Sequence, residues 1–273
     1  MSQTPPKVKI CGLTSLHDAE LAVELGAWAL GMIFYDGSPR RCAPAEAERI
    51  AAALRRKVEL CGVFVNAPLD RVVAECERCA LSVLQLHGDE GPAFCAEAAR
   101  RTGARVIKAA QVSGPGDVRD VERFHVDFHL LDARARAQSR RGLRGGTGET
   151  FDWALIGARR SKVPLILSGG LRAENVAEAI AQTAPYAVDT ASGTESAPGR
   201  KDPAKLRAFF ASVERSAQND EASDEAPTSG EAPTSDEAPA AGEAVVAGTA
   251  ANAVSAPEAA AAPDEAVVGG GTA

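Results

Sequence analysis

The sequence predicts a (β/α)8 barrel followed by a disordered acidic tail, on three observations. Eight short apolar runs recur within residues 1–216, at 8–11, 28–34, 59–65, 81–86, 105–109, 127–131, 163–168 and 186–190. Segments with helical apolar spacing separate most of them. Over 217–273 both signals stop. Evenly alternating strands and helices in that number match the barrel; a doubly wound sheet, the competing arrangement, rarely needs eight.

The first run ends in Lys9-Ile10-Cys11-Gly12, and Thr14 or Ser15 caps a helix over Ser15–Leu25. The second leads into the loop Phe34–Arg41, after which Pro44 takes a first-turn position in a helix reaching Arg56. The third precedes an amphipathic pattern over Leu69–Cys79, and the fourth ends at His87 before a helix that Pro92 opens and Arg101 closes. The fifth ends at Lys108 and the sixth at Asp132; Asp152 marks the first turn of a helix over Phe151–Arg160. The seventh gives way to Gly169-Gly170 and a helix over Ala173–Gln182; the eighth contains Asp189 and is followed by a last helix over Pro203–Ser212.

Residues 217–273 hold eleven Asp and Glu, no Lys, Arg or aromatic residue, and Glu-Ala-Pro repeated at Pro227, Pro233 and Pro239. Such a segment cannot bury enough apolar surface to offset its chain entropy, so it is expected to be disordered. The whole chain carries −7, so residues 1–216 carry +4. That charge suits a phosphorylated small anion and falls short of a nucleic-acid-binding signature. No apolar run has the length of a bilayer span, and Ser2 to Pro6 lack the pattern of a secretory signal. A cytoplasmic protein with reduced thiols is expected. All six cysteines lie in the first part; Cys76 and Cys79 have CxxC spacing without a second pair, which argues against zinc, and Cys61 reads as core.

Two glycine-rich runs, Gly145-Gly146-Thr147-Gly148 and Ser168-Gly169-Gly170, have backbone free to wrap a phosphate. Barrel active sites lie at the carboxyl ends of the strands, so the residues closing each run are candidates: Cys11, the Phe34–Arg41 loop, Asn66, His87, Lys108, Asp132, Gly169-Gly170 and Asp189. Strand alternation puts Lys9 with Cys11, and Gln85 with His87, on one face, assigned to the interior.

The motifs Lys-Ile-Cys-Gly-Leu-Thr (9–14), Gly-Val-Phe-Val-Asn (62–66), Leu-Gln-Leu-His-Gly (84–88), Leu-Leu-Asp (130–132), Gly-Gly-Thr-Gly (145–148), Leu-Ser-Gly-Gly-Leu (167–171) and Val-Asp-x-x-Ser-Gly (188–193) together resemble the phosphoribosylanthranilate isomerase family, in that family's order. The resemblance covers residues 7 to about 210. It implies a (β/α)8 barrel of tryptophan biosynthesis that converts phosphoribosylanthranilate to carboxyphenylamino-deoxyribulose phosphate by an Amadori rearrangement, with no cofactor and no metal. It makes Cys11 the base and Asp132 the acid. Arg40 then takes the anthranilate carboxylate, His87 contacts substrate or a neighbouring carbonyl, and Asp189 meets sugar hydroxyls or the amine. The phosphate falls to Gly146, Thr147, Gly148, Gly169, Gly170, Ser192 and Gly193, with an extra helical turn near Pro198-Gly199. Two departures stand out: Ala191 where the family commonly has a serine, and Ala173 where it has a proline.

The chemistry needs a thiolate base and a neutral carboxylic acid, the reverse of their order in water. Lys9 is expected to lower the thiol pKa, and the apolar Leu130-Leu131 to favour a neutral Asp132. Two other readings stay open: a histidine-pathway or dual-substrate phosphoribosyl isomerase, and a non-catalytic phosphate-binding barrel acting through its tail. Monomer and homodimer both suit the fold.

Overall fold

The computed structural model describes residues 4–133 and 153–224. Eight parallel strands close into a barrel in simple sequence order: β1 (Lys7–Cys11), β2 (Ala29–Ile33), β3 (Glu59–Phe64), β4 (Val83–Leu86), β5 (Arg105–Val112), β6 (Phe128–Ala133), β7 (Leu165–Leu167) and β8 (Ala187–Thr190). The last seam pairs Lys9 with Asp189 and Ile10 with Thr190. Helices α1 (Leu16–Glu24), α2 (Pro44–Leu54), α3 (Leu69–Arg78), α4 (Pro92–Thr102), α5 (Pro115–Val121), α6 (Val176–Thr183) and α7 (Pro203–Asp224) alternate with the strands and follow the last of them.

Strand alternation divides the core in two. Val8, Ile10, Leu60 and Phe64 turn outward against the helices, whereas Cys11, Cys61, Val63, Ile107, Leu130 and Ile166 fill the interior. Cys61 is thus core, as its apolar setting implies, and Cys76 and Cys79 are buried free thiols. The caps follow local chemistry. Ser15 Oγ accepts the Asp18 amide at the start of α1, prolines open α2 and α4, and Gly103 ends α4 at φ 69°.

Four elements differ from the sequence reading. Helix α5 is absent from it because Pro115-Gly116 has the look of a turn; the proline instead occupies a first-turn position. The helix expected over Phe151–Arg160 is a short 3₁₀ segment, Trp153–Ala158. A two-stranded hairpin, β9 (Glu195–Ala197) and β10 (Arg200–Lys201), follows β8. Helix α7 runs past Ser212 to Asp224, because Ala, Glu, Arg and Gln favour helix and no proline interrupts before Pro227. The remainder of the expected 217–273 tail lies outside the described residues.

Candidate active site

A cleft open to solvent lies over the carboxyl ends of the strands. Cys11 reaches it from the end of β1, Gln85 and His87 from β4 and the residue just beyond, Asp132 from β6 and Asp189 from β8. Arg40, Gly169, Gly170 and Ser192 complete the part of the wall with functional interest. Seven of the residues singled out in the sequence therefore share one cavity with Cys11. Gly193 lies just behind the wall, where a Cβ would come within 2.0 Å of the Leu171 carbonyl oxygen, so that position accepts no side chain. Gly146, Thr147 and Gly148 lie outside the described residues.

Cys11 is almost fully buried. In the register it sits beside Gly31 on β2, and Gly31 sits beside Cys61 on β3. A Cβ on Gly31 would lie 2.8 Å from the Cys11 sulfur, so the glycine is what makes room for the thiol. Two residues earlier on the same inward face of β1, Lys9 Nζ donates to Asp189 Oδ1 at 2.8 Å, with both groups buried. Burial opposes the charge on Lys9, but Asp189 and the neighbouring thiols outweigh it and raise the ammonium's pKa above its ordinary value. At Cys11 the balance goes the other way: burial pushes the thiol up, and the attraction of Lys9 offsets only part of that. Lys9 does lower the thiol pKa, as expected, but burial outweighs it and the net shift is upward. Asp189 adds to the rise, since it disfavours a second anion nearby.

Asp189 is held on both oxygens, by Lys9 and by Ser168 Oγ at 3.2 Å. It faces the cleft as a fixed carboxylate rather than as a free arm. The Gln85 amide donates to His87 Nδ1 at 3.0 Å, which leaves the imidazole proton on Nε2. That atom is 3.4 Å from Asp132 Oδ2 without forming a hydrogen bond to it. Asp132 and His87 thus act as neighbours, and the alternative of a carbonyl partner for the histidine is not seen.

Arg40 is forked onto Glu195: Nε lies 3.0 and 2.9 Å from the two carboxylate oxygens, and Nη2 2.9 Å from Oε2. Glu195 also faces Lys201, whose buried ammonium donates to the Cys11 carbonyl at 2.8 Å and the Ala191 carbonyl at 3.0 Å. Burial lowers the pKa of Lys201, against the pull of Glu195. Neither residue was found from the sequence, since both lie beyond the last strand in a stretch without periodicity. The extra turn expected near Pro198-Gly199 is instead a 3₁₀ turn at Ser192–Thr194, directly after β8. Pro198 and Gly199 bend the β9–β10 hairpin, where Gly199 adopts φ 79°. Two further strand-end candidates serve the rim: Lys108 is paired with Glu90 at 3.1 Å, and the Asn66 amide N–H donates to that glutamate.

Residues 8–212 match the family model for N-(5'phosphoribosyl)anthranilate (PRA) isomerase. The chain belongs to this family. It is 46% identical over 211 residues to the N-(5'-phosphoribosyl)anthranilate isomerase of Citrifermentans bemidjiense, covering 77% of this chain and 98% of that one. The solved phosphoribosyl anthranilate isomerase of Thermus thermophilus is 40% identical, with a TM-score of 0.68 over 77% of this chain and 98% of its own. That of Thermotoga maritima is 38% identical, with a TM-score of 0.69 over 77% and 99%. A further family structure, 36% identical with a TM-score of 0.66, holds reduced 1-(o-carboxyphenylamino)-1-deoxyribulose 5-phosphate; it covers 77% of this chain and 99% of that one. The protein is accordingly an isomerase of tryptophan biosynthesis, acting on a small molecule. Among the described residues no helix is long and apolar enough to cross a membrane.

Proposed function

We propose that this enzyme converts N-(5'-phosphoribosyl)anthranilate to 1-(2-carboxyphenylamino)-1-deoxyribulose 5-phosphate, with Cys11 and Asp132 exchanging protons across the cleft. The observation that carries this is the placement of a thiol and a carboxyl on two walls of one cavity. Asp132 gives its proton to the furanose ring oxygen as the bond from that oxygen to C1 breaks, and the substrate nitrogen supplies the electrons that form the iminium. Cys11, as thiolate, removes the proton from C2, and the C–H electrons neutralise the iminium to give an enolamine. The C2 hydroxyl proton passes to the Asp132 carboxylate and the Cys11 thiol returns its proton to C1, which gives the aminoketose and restores both groups.

His87, whose Nε2 lies 3.4 Å from Asp132, supports the carboxylate that forms once the acid has given up its proton. Arg40 takes the anthranilate carboxylate and Asp189 the sugar hydroxyls or the amine. Gly169, Gly170, Ser192 and Gly193 hold the phosphate, through backbone N–H groups of the loop after β7 and of the 3₁₀ turn after β8. Gly146, Thr147 and Gly148 complete that set. The Ala191 departure removes a hydroxyl but no backbone donor.

The deciding experiment is turnover of N-(5'-phosphoribosyl)anthranilate by the purified chain and by Asp132→Asn. The wild type is expected to turn over, and the asparagine variant to lose the limb of the pH–rate profile set by the acid's deprotonation. A variant that keeps both limbs and most of its rate removes Asp132 from the chemistry. Reaction in the cytoplasm, as monomer or homodimer and without nucleic acid, fits a small soluble substrate; the Thermotoga maritima relative is dimeric. We assign turnover to the barrel and none of it to the acidic segment. Truncation after Asp224 is expected to leave kcat/KM unchanged at physiological salt, where charge effects fade beyond about 8 Å.

A further inference from the structure

The arginine read above as the carboxylate receptor is already gripped by a protein carboxylate. Glu195 holds Nε and Nη2 of Arg40 in a planar fork, so the guanidinium can neither rotate nor withdraw. Arg40 lines the cleft and Glu195 does not. The glutamate therefore stands behind the arginine and leaves Nη1 as the edge without a partner among the described residues.

The surroundings of this pair are built to hold it. Glu195 Oε1 also receives the Gly199 N–H at 3.3 Å and the Lys201 ammonium at 3.4 Å. Two residues with left-handed backbone make the space. A Cβ on Gly12, at φ 76°, would lie 2.9 Å from Arg40 Cδ and 3.4 Å from Glu195 Oε1; one on Gly199, at φ 79°, would press on the Thr14 methyl at 3.1 Å. Charge closes the argument. One carboxylate between two cations leaves the cluster at +1, so fixing Arg40 does not cancel the attraction for an anionic ligand. Lys201, bonded to the Cys11 and Ala191 carbonyls, ties this cluster to the ends of β1 and β8 just where their ladder stops.

We infer that Glu195 is a specificity-determining positioning residue, which aims Arg40 at the substrate carboxylate while Lys201 preserves the net positive charge. The inference rests on the reading of Arg40 as the carboxylate receptor. The experiment measures, on each enzyme preparation, the affinities for reduced 1-(o-carboxyphenylamino)-1-deoxyribulose 5-phosphate and for its phenylamino counterpart without the carboxylate. Their ratio does not depend on the fraction of enzyme that folds. In the wild type the carboxylated ligand is expected to bind about 10- to 100-fold tighter, the size of one charge-assisted pair. Arg40→Ala should bring the ratio near unity.

Glu195→Gln should lower the ratio about five-fold or more, on the same scale of energies, and should add nothing in the Arg40→Ala background. A generic packing role would weaken both ligands equally and add in the double variant. An unchanged ratio in Arg40→Ala removes the arginine's assignment. A ratio that falls in Arg40→Ala but stays constant, or rises, in Glu195→Gln overturns the role of Glu195 alone. If Glu195→Gln does not fold, Glu195→Asp carries the test: the shorter arm should give an intermediate ratio, and a wild-type ratio overturns the inference.

Discussion

At the amino-terminal end of the barrel, Trp28, Phe128 and Tyr186 interlock with ring centroids 5.3 to 5.7 Å apart. Lys7 and Arg105 lie over those rings and keep their charges toward water. At the carboxyl end, charges and polar atoms are taken out of water instead: Lys9 with Asp189, Lys201 with Glu195, and the His87 ring beside Asp132. The first arrangement adds apolar burial and cation–ring attraction, which favour the fold. The second accepts desolvation of charge, which by itself opposes folding. It persists because fixed, buried charges beside the cleft interact strongly with a charged ligand. Stability and chemistry thus occupy opposite ends of the same eight strands.

If that division holds, substitutions at the two ends should have separable effects. The largest is expected from Cys11→Ala, which should lower kcat by about 100- to 10,000-fold, the worth of general base catalysis. Its melting temperature should stay within a few degrees of wild type. Near-normal turnover would take the thiol out of the reaction and leave the mouth without a base. Phe128→Ala should do the opposite. Removing a buried aromatic costs about 3–5 kcal/mol, or roughly 6–20 °C in melting temperature for a domain of this size. The kcat/KM of its folded fraction should remain within about two-fold, since no reacting group is touched. A large loss of kcat/KM there would mean that the floor sets the geometry of the mouth.

A smaller effect follows from the thiols. Burial pushes Cys42 and Cys61 up to about 12 and Cys79 up to about 11, from an ordinary 9.0. Above pH 9 the unfolded chain releases these protons while the folded chain retains them. The stability they contribute is therefore complete below pH 9 and declines as pH rises toward 11–12. Lys9, held charged by Asp189 in the fold, acts in the same direction above its ordinary 10.5. Melting temperature measured from pH 7.5 to 11 should be level at first and then fall, and the fall should be shallower in Cys61→Ala. A level curve to pH 11 would show that these thiols ionise as readily in the fold as out of it.

The strands were legible because period-2 burial, β-branched runs and glycine punctuation are local properties. Cys11, His87 and Asp132 were legible for the same reason: each was read as closing a strand, and in a barrel every carboxyl strand end opens on one mouth; Gln85 followed from alternation with His87. Helix α5 was hidden because Pro115-Gly116 serves a turn and a helix start equally well. Asp189 was placed correctly at the mouth, but its commitment to Lys9 and Ser168 was not readable. Those contacts span 180 and 21 residues.

By itself, then, the sequence determined eight strands, their order of alternation with helices, and which residues stand at the active end. These follow from spacing and from the chemistry of adjacent residues. Tertiary structure alone decided which charge answers which. Closing β1 onto β8 sets Lys9 beside Asp189, and the burial that comes with closure outweighs the pull of Lys9 on the Cys11 thiol. The hairpin after β8 brings Glu195 and Lys201 back to Arg40, 155 residues away from that glutamate. Electrostatic attraction and desolvation depend on distance in space and on exclusion of water. Neither quantity exists until the barrel has closed.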